Sequence, residues 1–278
     1  MAAIIGLNVV SVVPPTGPIR LWDCGVEWGR LQPSADQWNW QTLDKLVADA
    51  GNRQIMLVLG HPPAWAAKGG PDGQQAPWLL PGANRAPKDD ATWANYVVAV
   101  ASRYKGKINQ YQIWNEPADS AFYSGTYSDL ANCVRRAKSL INRTDPNAKI
   151  VSPPFQPRKQ SGWETRGKKL IVALQDQGWP FDIYAGHIYP QVGEGISGWE
   201  RDINTMIDGL RKYNAPKKPM WITETNFNLG GPANPYSDSR QQSLKDNVIR
   251  SANKLDIGRV YWYAYHYSNP SLFAVTKF

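Results

Sequence analysis

Eight apolar runs of strand length, separated by stretches with helical spacing, constrain the fold of this chain more than any other feature. Strands that alternate with amphipathic helices favour a parallel sheet with helices packed over it, which is an α/β fold. The predicted strands are Ile4–Val10, Ile19–Asp23, Gln54–Leu59, Gln110–Trp114, Lys149–Ser152, Ile183–Ile188, Met220–Thr223 and Val260–Tyr265.

Helices fit most of the stretches between these runs. In one of them, Leu130, Val134, Ala137 and Leu140 recur at three- and four-residue steps and form one apolar stripe. Each helix ends close to Gly, Asn or Pro, the usual termination signals. The predicted helices are Trp40–Ala50, Ala91–Tyr104, Tyr127–Arg143, Thr165–Gln177, Trp199–Tyr213 and Arg240–Leu255.

The length of the chain, 278 residues, is close to the ~250 residues of one (β/α)8 barrel. We therefore predict a single TIM barrel over residues 1–278. The Pro- and Gly-rich segment Gly69–Pro87 is interpreted as a long loop after the third strand, not as a linker. Loops at that end of a barrel build the active site.

The helix rhythm is interrupted at both ends of the chain. Only Ser11–Pro18 separates the first two strands, and little sequence follows the eighth strand, so the first and last covering helices are expected to be short or missing. The apolar surface left near these strands would suit an additional domain or an oligomer contact.

Two short motifs place a glutamate at the end of a predicted strand. They are IWNEP at 113–117 and WITETN at 221–226. On a barrel, Glu116 would end the fourth strand and Glu224 the seventh, at the same mouth, where the two carboxyl groups could approach the ~5–5.5 Å typical of retaining glycoside hydrolysis. A strand-end glutamate can also cap a helix or pair with an arginine, so either motif alone is a weak indication.

Together these motifs resemble the retaining glycosidases of clan A, which are built on (β/α)8 barrels. With RLWD at 20–23 and GHIY at 186–189, the chain looks most like family 39 of that clan. The resemblance implies that Glu116 is the acid/base, that Glu224 is the nucleophile, and that Asn115 binds the 2-hydroxyl of the sugar. It implies a retaining hydrolase that cleaves a polysaccharide or oligosaccharide.

The same resemblance suggests roles for four more residues. Relatives support the nucleophile with an arginine at the position of Arg20 and with the phenol of a His-x-Tyr motif, here His187 and Tyr189. They also place an aromatic floor for the sugar on the eighth strand, where Trp262 lies. Arg20 as a structural ion pair and Trp262 as core remain open alternatives.

Positions near strand ends add further candidates. His61 follows the third strand, where it is either a substrate ligand or a loop cap, and Trp65 is a candidate stacking platform in the next segment. Tyr123 and Asp23 are suggested only by their positions. The chain holds 13 Trp residues, whose flat apolar faces suit sugars, although most of them are expected to pack in the core.

The formal net charge of +8 is compatible with an anionic partner. No RRM, helix-turn-helix or zinc-finger pattern accompanies the scattered Lys and Arg, so nucleic acid is not expected as a partner. An acidic glycan or a negatively charged cell surface is the better candidate.

Cofactors and membrane segments are not expected. Two Cys do not form a disulfide framework, and three His without ligand spacing do not indicate a zinc site. No apolar run reaches the length of a membrane span, and the first thirteen residues lack the features of a signal peptide. The target glycan is nevertheless expected to be extracellular or part of a cell envelope.

Two alternatives to hydrolysis stay open on the sequence. A carbohydrate-binding barrel that has lost catalysis would have no physical reason to keep Glu116, Glu224, Asn115 and Tyr189 together. A transglycosidase would use the same residues and differ only in whether water or a sugar meets the intermediate. The sugar, the linkage and the anomeric preference are not specified by these motifs.

Overall fold

The computed structural model describes residues 3–9, 13–14, 16–69, 75–157, 162–191, 193–227 and 238–265. Within these residues, eight parallel strands form a closed barrel in sequence order, with β8 paired to β1. Helices connect the strands from β2 onwards, so the fold is the predicted (β/α)8 TIM barrel.

The strands confirm the predicted runs with small changes at their ends. Three strands extend further than predicted: the fifth continues through two prolines to Phe155, the seventh continues to Thr225, and the eighth begins already at Ile257. The strands are β1 Ile4–Val9, β2 Ile19–Leu21, β3 Ile55–Leu59, β4 Gln110–Ile113, β5 Lys149–Phe155, β6 Ile183–Ile188, β7 Met220–Thr225 and β8 Ile257–Tyr265.

The helices also follow the predicted ranges, with one addition. A four-residue helix precedes the helix that covers β2 and β3, and short 3-10 and π segments lie at Ala64–Ala66 and Gly162–Gly167. The helices are α1 Trp28–Leu31, α2 Gln41–Ala50, α3 Asp90–Arg103, α4 Tyr127–Thr144, α5 Lys168–Asp176, α6 Gly195–Lys212 and α7 Asp238–Lys254.

Side-chain caps fix the start of two of these helices. The Asp89 carboxylate accepts a hydrogen bond from the Thr92 N–H at the start of α3, and the Thr126 hydroxyl accepts one from the Asp129 N–H at the start of α4. Such caps satisfy backbone donors that have no partner within the helix.

The connection between β1 and β2 contains no helix among its described residues, 13–14 and 16–18. The prediction of a short or missing last helix concerns residues 266–278, which lie outside the described residues. At the outer rim of β1, Ile4 is 48% exposed. Among the described helices, none is long and apolar enough to cross a membrane.

The strand residues alternate between two layers. Those that point outward join the helices in the main hydrophobic core, whereas those that point inward form a small apolar plug of Met56, Val151, Ile183, Ala185 and Tyr261. Above this plug the barrel interior becomes polar, with Asn8, Arg20, Gln112 and Thr223 all buried and hydrogen-bonded to one another or to strand carbonyls. This polar layer supports the carboxyl end of the barrel.

Candidate active site

A cavity of about 440 Å³ opens at the carboxyl ends of the strands. Its lining combines three acidic side chains with amides and aromatic rings. The lining residues are Trp22, Asp23, Trp78, Asn115, Glu116, Phe122, Tyr189, Pro190, Glu224, Asn226 and Tyr263. A concave site with polar groups that converge among aromatic rings is typical of a small-molecule or sugar site.

Glu116 and Glu224 face each other across this cavity. Glu116 lies three residues beyond the end of β4, and Glu224 is the penultimate residue of β7. One carboxylate oxygen of each and one ring nitrogen of His187 lie within 4.8 Å of one another. The side chain of Glu116 is 15% exposed and that of Glu224 is 6% exposed, so substrate can reach both.

Arg20 connects Glu224 to the rest of the barrel interior. Its Nη1 donates to Oε1 of Glu224 at 2.6 Å and to Oδ1 of Asn8 at 2.8 Å. Its Nη2 donates to Oδ1 of Asn115 at 2.8 Å, and its Nε donates to Oε1 of Gln112 at 2.7 Å. The guanidinium is fully buried, so this charge is committed to its four acceptors and does not line the cavity.

The second oxygen of Glu224 is also held. The Tyr189 hydroxyl donates to Oε2 of Glu224 at 2.7 Å. Nδ1 of His187 lies 3.0 Å from Oε1 of Glu116 and 3.6 Å from Oε2 of Glu224, so this ring lies between the two acids. Burial and the nearby Glu224 raise the pKa of Tyr189 well above its ordinary value, so the phenol keeps its proton.

Opposing effects act on the charge of Glu224. Burial raises the pKa of this carboxyl above its ordinary value, and electrostatic interactions with His187 and Arg20 oppose that rise, while Glu116 adds to it. The direct contact with a guanidinium and the phenol hydrogen bond both favour the ionised form. Glu224 is therefore suited to act as a carboxylate.

The segment that carries Glu116 has an unusual backbone. Trp114 and Glu116 both have positive φ angles, of 72° and 42°, which non-glycine residues adopt rarely. Arg166, in the π segment, fixes the chain just beyond them by donating from Nε to the Ala118 carbonyl at 2.9 Å and from Nη2 to the Pro117 and Tyr123 carbonyls. Such strain persists only where the surroundings hold it, and it concentrates at functional sites.

His61 supports the cavity from below and does not line it. Its ring lies 4.5 Å from the ring of Trp22 and 4.9 Å from that of Trp114, and it is 1% exposed. Burial lowers the pKa of His61 to about 3, so the ring is neutral. The structure thus places His61 as packing between two cavity-facing segments.

Glu116, His187 and Glu224 are the one group among the described residues whose donor atoms lie close enough together for a metal ion. Arg20 already donates to Oε1 of Glu224 at 2.6 Å. A guanidinium in direct contact with a ligand carboxylate repels a cation, which disfavours metal binding there.

Three of the sequence candidates lie away from the cavity. Trp262 is 4% exposed and packs against Phe227, with ring centroids 5.8 Å apart, in the layer between strands and helices. Trp65 donates from its indole N–H to the Gln32 carbonyl at 3.1 Å. Tyr123 is fully buried and donates to the Thr126 carbonyl at 2.8 Å. None of the three lines the cavity.

Four aromatic lining residues were not predicted from the sequence. They are Trp22, Trp78, Phe122 and Tyr263. Trp78 is 66% exposed in the long loop after β3, with its ring centroid 6.4 Å from that of Phe122. Through Trp78, this loop borders the cavity, as predicted. The signal that could have indicated Tyr263 is its position directly after Trp262 on β8, because successive residues of a strand point to opposite faces.

The comparison with protein families identifies the chain more closely than its motifs do. The family model described as glycosyl hydrolase family 10 matches residues 24–260. The chain belongs to this family.

Curated relatives carry xylanase names. "Endo-1,4-beta-xylanase 3" of Hypocrea jecorina is 25% identical over 250 residues, which is 87% of this chain and 65% of the relative. "Endo-1,4-beta-xylanase 2" of Claviceps purpurea is 26% identical over 180 residues, which is 61% of this chain and 52% of the relative. The chain thus spans between half and two thirds of the length of these relatives.

Solved structures show the same fold at low identity. A glucosidase from Croceicoccus marinus superposes with a TM-score of 0.75 at 13% identity, covering 100% of this chain and 64% of that one. The xylanase XynB from Paenibacillus barcinonensis gives 0.63 at 13% identity, with 99% and 89% covered.

The more specific resemblance to family 39 is not confirmed. The family 39 enzyme from Xanthomonas axonopodis pv. citri shares the fold, with a TM-score of 0.64 at 18% identity over 89% of this chain and 52% of that one. The family model nevertheless assigns the chain to family 10. In this chain the motifs at the strand ends did not distinguish family 39 from family 10.

Proposed function

We propose that this protein is a retaining, endo-acting glycoside hydrolase that cleaves a β-1,4-linked polysaccharide of the xylan type. One observation carries the reaction type: a carboxylate oxygen of Glu116 and one of Glu224 lie within 4.8 Å of each other across the cavity. Inverting enzymes hold their carboxyl groups ~6.5–9.5 Å apart to admit a water, whereas retaining enzymes hold them at ~5–5.5 Å. The xylanase names of the curated relatives support the substrate.

In this proposal Glu224 is the nucleophile. Arg20 and Tyr189 each hold one of its oxygens, which fixes its orientation and favours its charge. Its carboxylate attacks the anomeric carbon, the bond to the leaving oxygen breaks, and Glu116 donates the proton that this oxygen needs. Glu116 then removes a proton from water, which attacks the glycosyl-enzyme and releases the sugar with its original configuration.

Asn115 is placed to bind the sugar during this reaction. Its Oδ1 accepts from Arg20, so its Nδ2 amide is the group left to a sugar hydroxyl in the cavity. A hydrogen bond to the 2-hydroxyl that strengthens as positive charge develops on the sugar ring would stabilise the transition state.

The first experiment separates the roles of the two acids. Glu224→Gln should abolish turnover of xylan and of aryl xylosides because no nucleophile remains. Glu116→Ala should retain the first step with aryl xylosides whose leaving groups need no proton, and azide should restore part of the second step. Burst kinetics and mass spectrometry of the azide adduct measure these effects.

Glu200→Gln is the matched control, since Glu200 lies on α6 and bonds to Ser251 and Lys254 of α7. This variant should keep wild-type rates. Circular dichroism on all variants excludes unfolding as the cause. Wild-type turnover by Glu224→Gln would contradict the proposal.

The second experiment addresses the bond cleaved and the stereochemistry. Proton NMR of early products should show the β anomer first, and mass spectrometry should show a mixture of oligosaccharides from xylan. Release of single sugars only would contradict endo action, and products longer than the substrate would indicate transglycosylation.

A further inference from the structure

A third carboxylate lines the cavity and has no part in the proposed chemistry. Asp23 lies two residues beyond the end of β2, and Tyr263 is an inward-facing residue of β8. The Tyr263 hydroxyl donates a hydrogen bond to Oδ2 of Asp23. A residue that follows β2 and a residue of β8 are thus paired on the cavity wall.

The other oxygen of Asp23 is available to a ligand. Among the described residues, no backbone or side-chain group donates a hydrogen bond to Oδ1, and the residue is half-buried and faces the cavity. Burial raises the pKa of Asp23 to about 6, with Tyr263 and Arg20 opposing the rise. At neutral pH the group is an anion with spare capacity to accept hydrogen bonds.

The charge of the cavity restricts what can bind to it. Its described lining contains the three acids Asp23, Glu116 and Glu224 and no Lys or Arg. Arg20 is fully buried behind Glu224. A ligand with a carboxylate inside this cavity would meet like charges in a site of low dielectric, and the guanidinium of Arg20 is already hydrogen-bonded to Glu224, Asn8, Asn115 and Gln112.

We propose that Asp23, oriented by Tyr263, determines sugar specificity by accepting hydrogen bonds from hydroxyls of an uncharged sugar at the nucleophile, and that it excludes sugars that carry a carboxylate at this position. The inference rests on the proposed function, since it concerns the sugar that Glu224 attacks. The cavity would thus prefer neutral sugars, although the net charge of the whole chain is positive.

The test compares 4-nitrophenyl β-xyloside, β-glucoside and β-glucuronide. The glucoside and the glucuronide differ only in the oxidation of one carbon, so the ratio of their kcat/KM values measures charge discrimination. The wild type should favour the glucoside by at least about tenfold. Asp23→Asn should lower kcat/KM for the xyloside and the glucoside about tenfold or more, chiefly through KM. It should also reduce the ratio of kcat/KM for the glucoside to kcat/KM for the glucuronide.

Two further variants make the result interpretable. Tyr263→Phe should change kcat/KM in the same direction, because Asp23 loses its orienting donor. Asp208→Asn removes the same charge from a side chain that is 71% exposed on α6 and should change neither quantity. A purely structural role for Asp23 would lower all rates together and leave the glucoside-to-glucuronide ratio unchanged.

The outcomes distinguish this inference from the proposed function. Turnover by the wild type combined with an unchanged ratio in Asp23→Asn, or a wild-type preference for the glucuronide, overturns the inference alone. A wild type that cleaves neither xylan nor any of the three glycosides overturns the proposed function and the inference with it.

Discussion

Arg20 relates the site to the barrel at the scale of single residues. From β2 its guanidinium reaches Asn8 on β1, Gln112 on β4 and Glu224 on β7. A buried ion pair that loses one partner destabilises a protein strongly, because the remaining charge has no compensation. Arg20, which holds the proposed nucleophile Glu224, therefore also links four of the strands.

Tyr189→Phe tests how the charge of Glu224 is maintained. The phenol donates to Oε2 of Glu224 at 2.7 Å, which stabilises the carboxylate. Without this bond the pKa of Glu224, already raised by burial, should rise further. Since the proposed reaction needs the ionised form of Glu224, the acidic limb of kcat/KM should move to higher pH, by about one pH unit.

The matched control for this change is Tyr184→Phe. Tyr184 is on β6, directly after which Tyr189 lies, but the Tyr184 hydroxyl donates to the Pro216 carbonyl in the outer layer at 2.8 Å. This variant should leave the acidic limb in place. A profile for Tyr189→Phe that superposes on that of the wild type would remove the phenol from the mechanism.

Side-chain direction explains why some of the predicted site residues line the cavity and others do not. The stretch from Val260 to Tyr263 is apolar or aromatic throughout, so it contains no polar alternation that would show which face points inward. The structure turns Trp262 to the outer layer and Tyr263 to the cavity. In contrast, Glu116, Glu224 and Tyr189 are polar residues at the ends of apolar runs, which favours the mouth of the barrel.

At the scale of elements, the ends of β3 and β4 are in close contact. The Trp114 N–H donates to the Leu59 carbonyl at 2.7 Å, and the Trp114 ring covers Gly60. A Cβ on Gly60 would lie 2.7 Å from this ring, and the φ of Gly60 is 135°. Only glycine allows the ring to lie here, directly before Asn115 and Glu116.

Gly60→Ala should therefore displace Trp114 and, with it, the segment that carries Glu116. We expect kcat with natural xylan to fall by about tenfold or more, because small errors in the position of a catalytic group are costly. The folded state should also lose about 1–3 kcal/mol through overpacking. Steady-state kinetics and urea denaturation measure these effects.

Gly106→Ala separates overpacking from backbone strain. Gly106 also has a positive φ, of 72°, but a Cβ added there would have no atom within 4 Å. This variant should lose some stability and keep its kcat. Equal losses of kcat in both variants would show that the contact between Gly60 and Trp114 does not position Glu116.

Elements were more predictable than the loops between them. Strands and helices have periodic patterns that follow from burial on one or both faces. The segments after β3 and β5 have no such period, so the 3-10 segment with Trp65, the π segment with Arg166 and the exposed Trp78 could not be placed in advance. Trp78, one of the aromatic residues that line the cavity, comes from the segment after β3.

At the scale of the whole molecule, an acidic cavity lies in a chain with a net charge of +8. Surface charge attracts an anionic polymer over a range of ~8–10 Å at ordinary salt. We expect binding of a glucuronoxylan, whose acidic branches can remain outside the cavity, to weaken as salt rises. Calorimetry or affinity electrophoresis over a salt series would measure this.

An unbranched neutral xylan is the matched ligand for this measurement. Its binding, and the cleavage of 4-nitrophenyl β-xyloside, should change little with salt. An equal response of the acidic and the neutral polymer would show that the net charge has no part in substrate capture.

The ion pair of Arg20 and Glu224 also bears on how long the covalent intermediate of the proposed reaction persists. Once a sugar is attached, Glu224 becomes a neutral ester, while the guanidinium of Arg20 stays charged and fully buried. The interior then holds a cation whose counter-ion has been consumed, an arrangement that is costly. Departure of the sugar restores the pair, so the barrel itself favours a short lifetime for the glycosyl-enzyme and free enzyme as the state between turnovers.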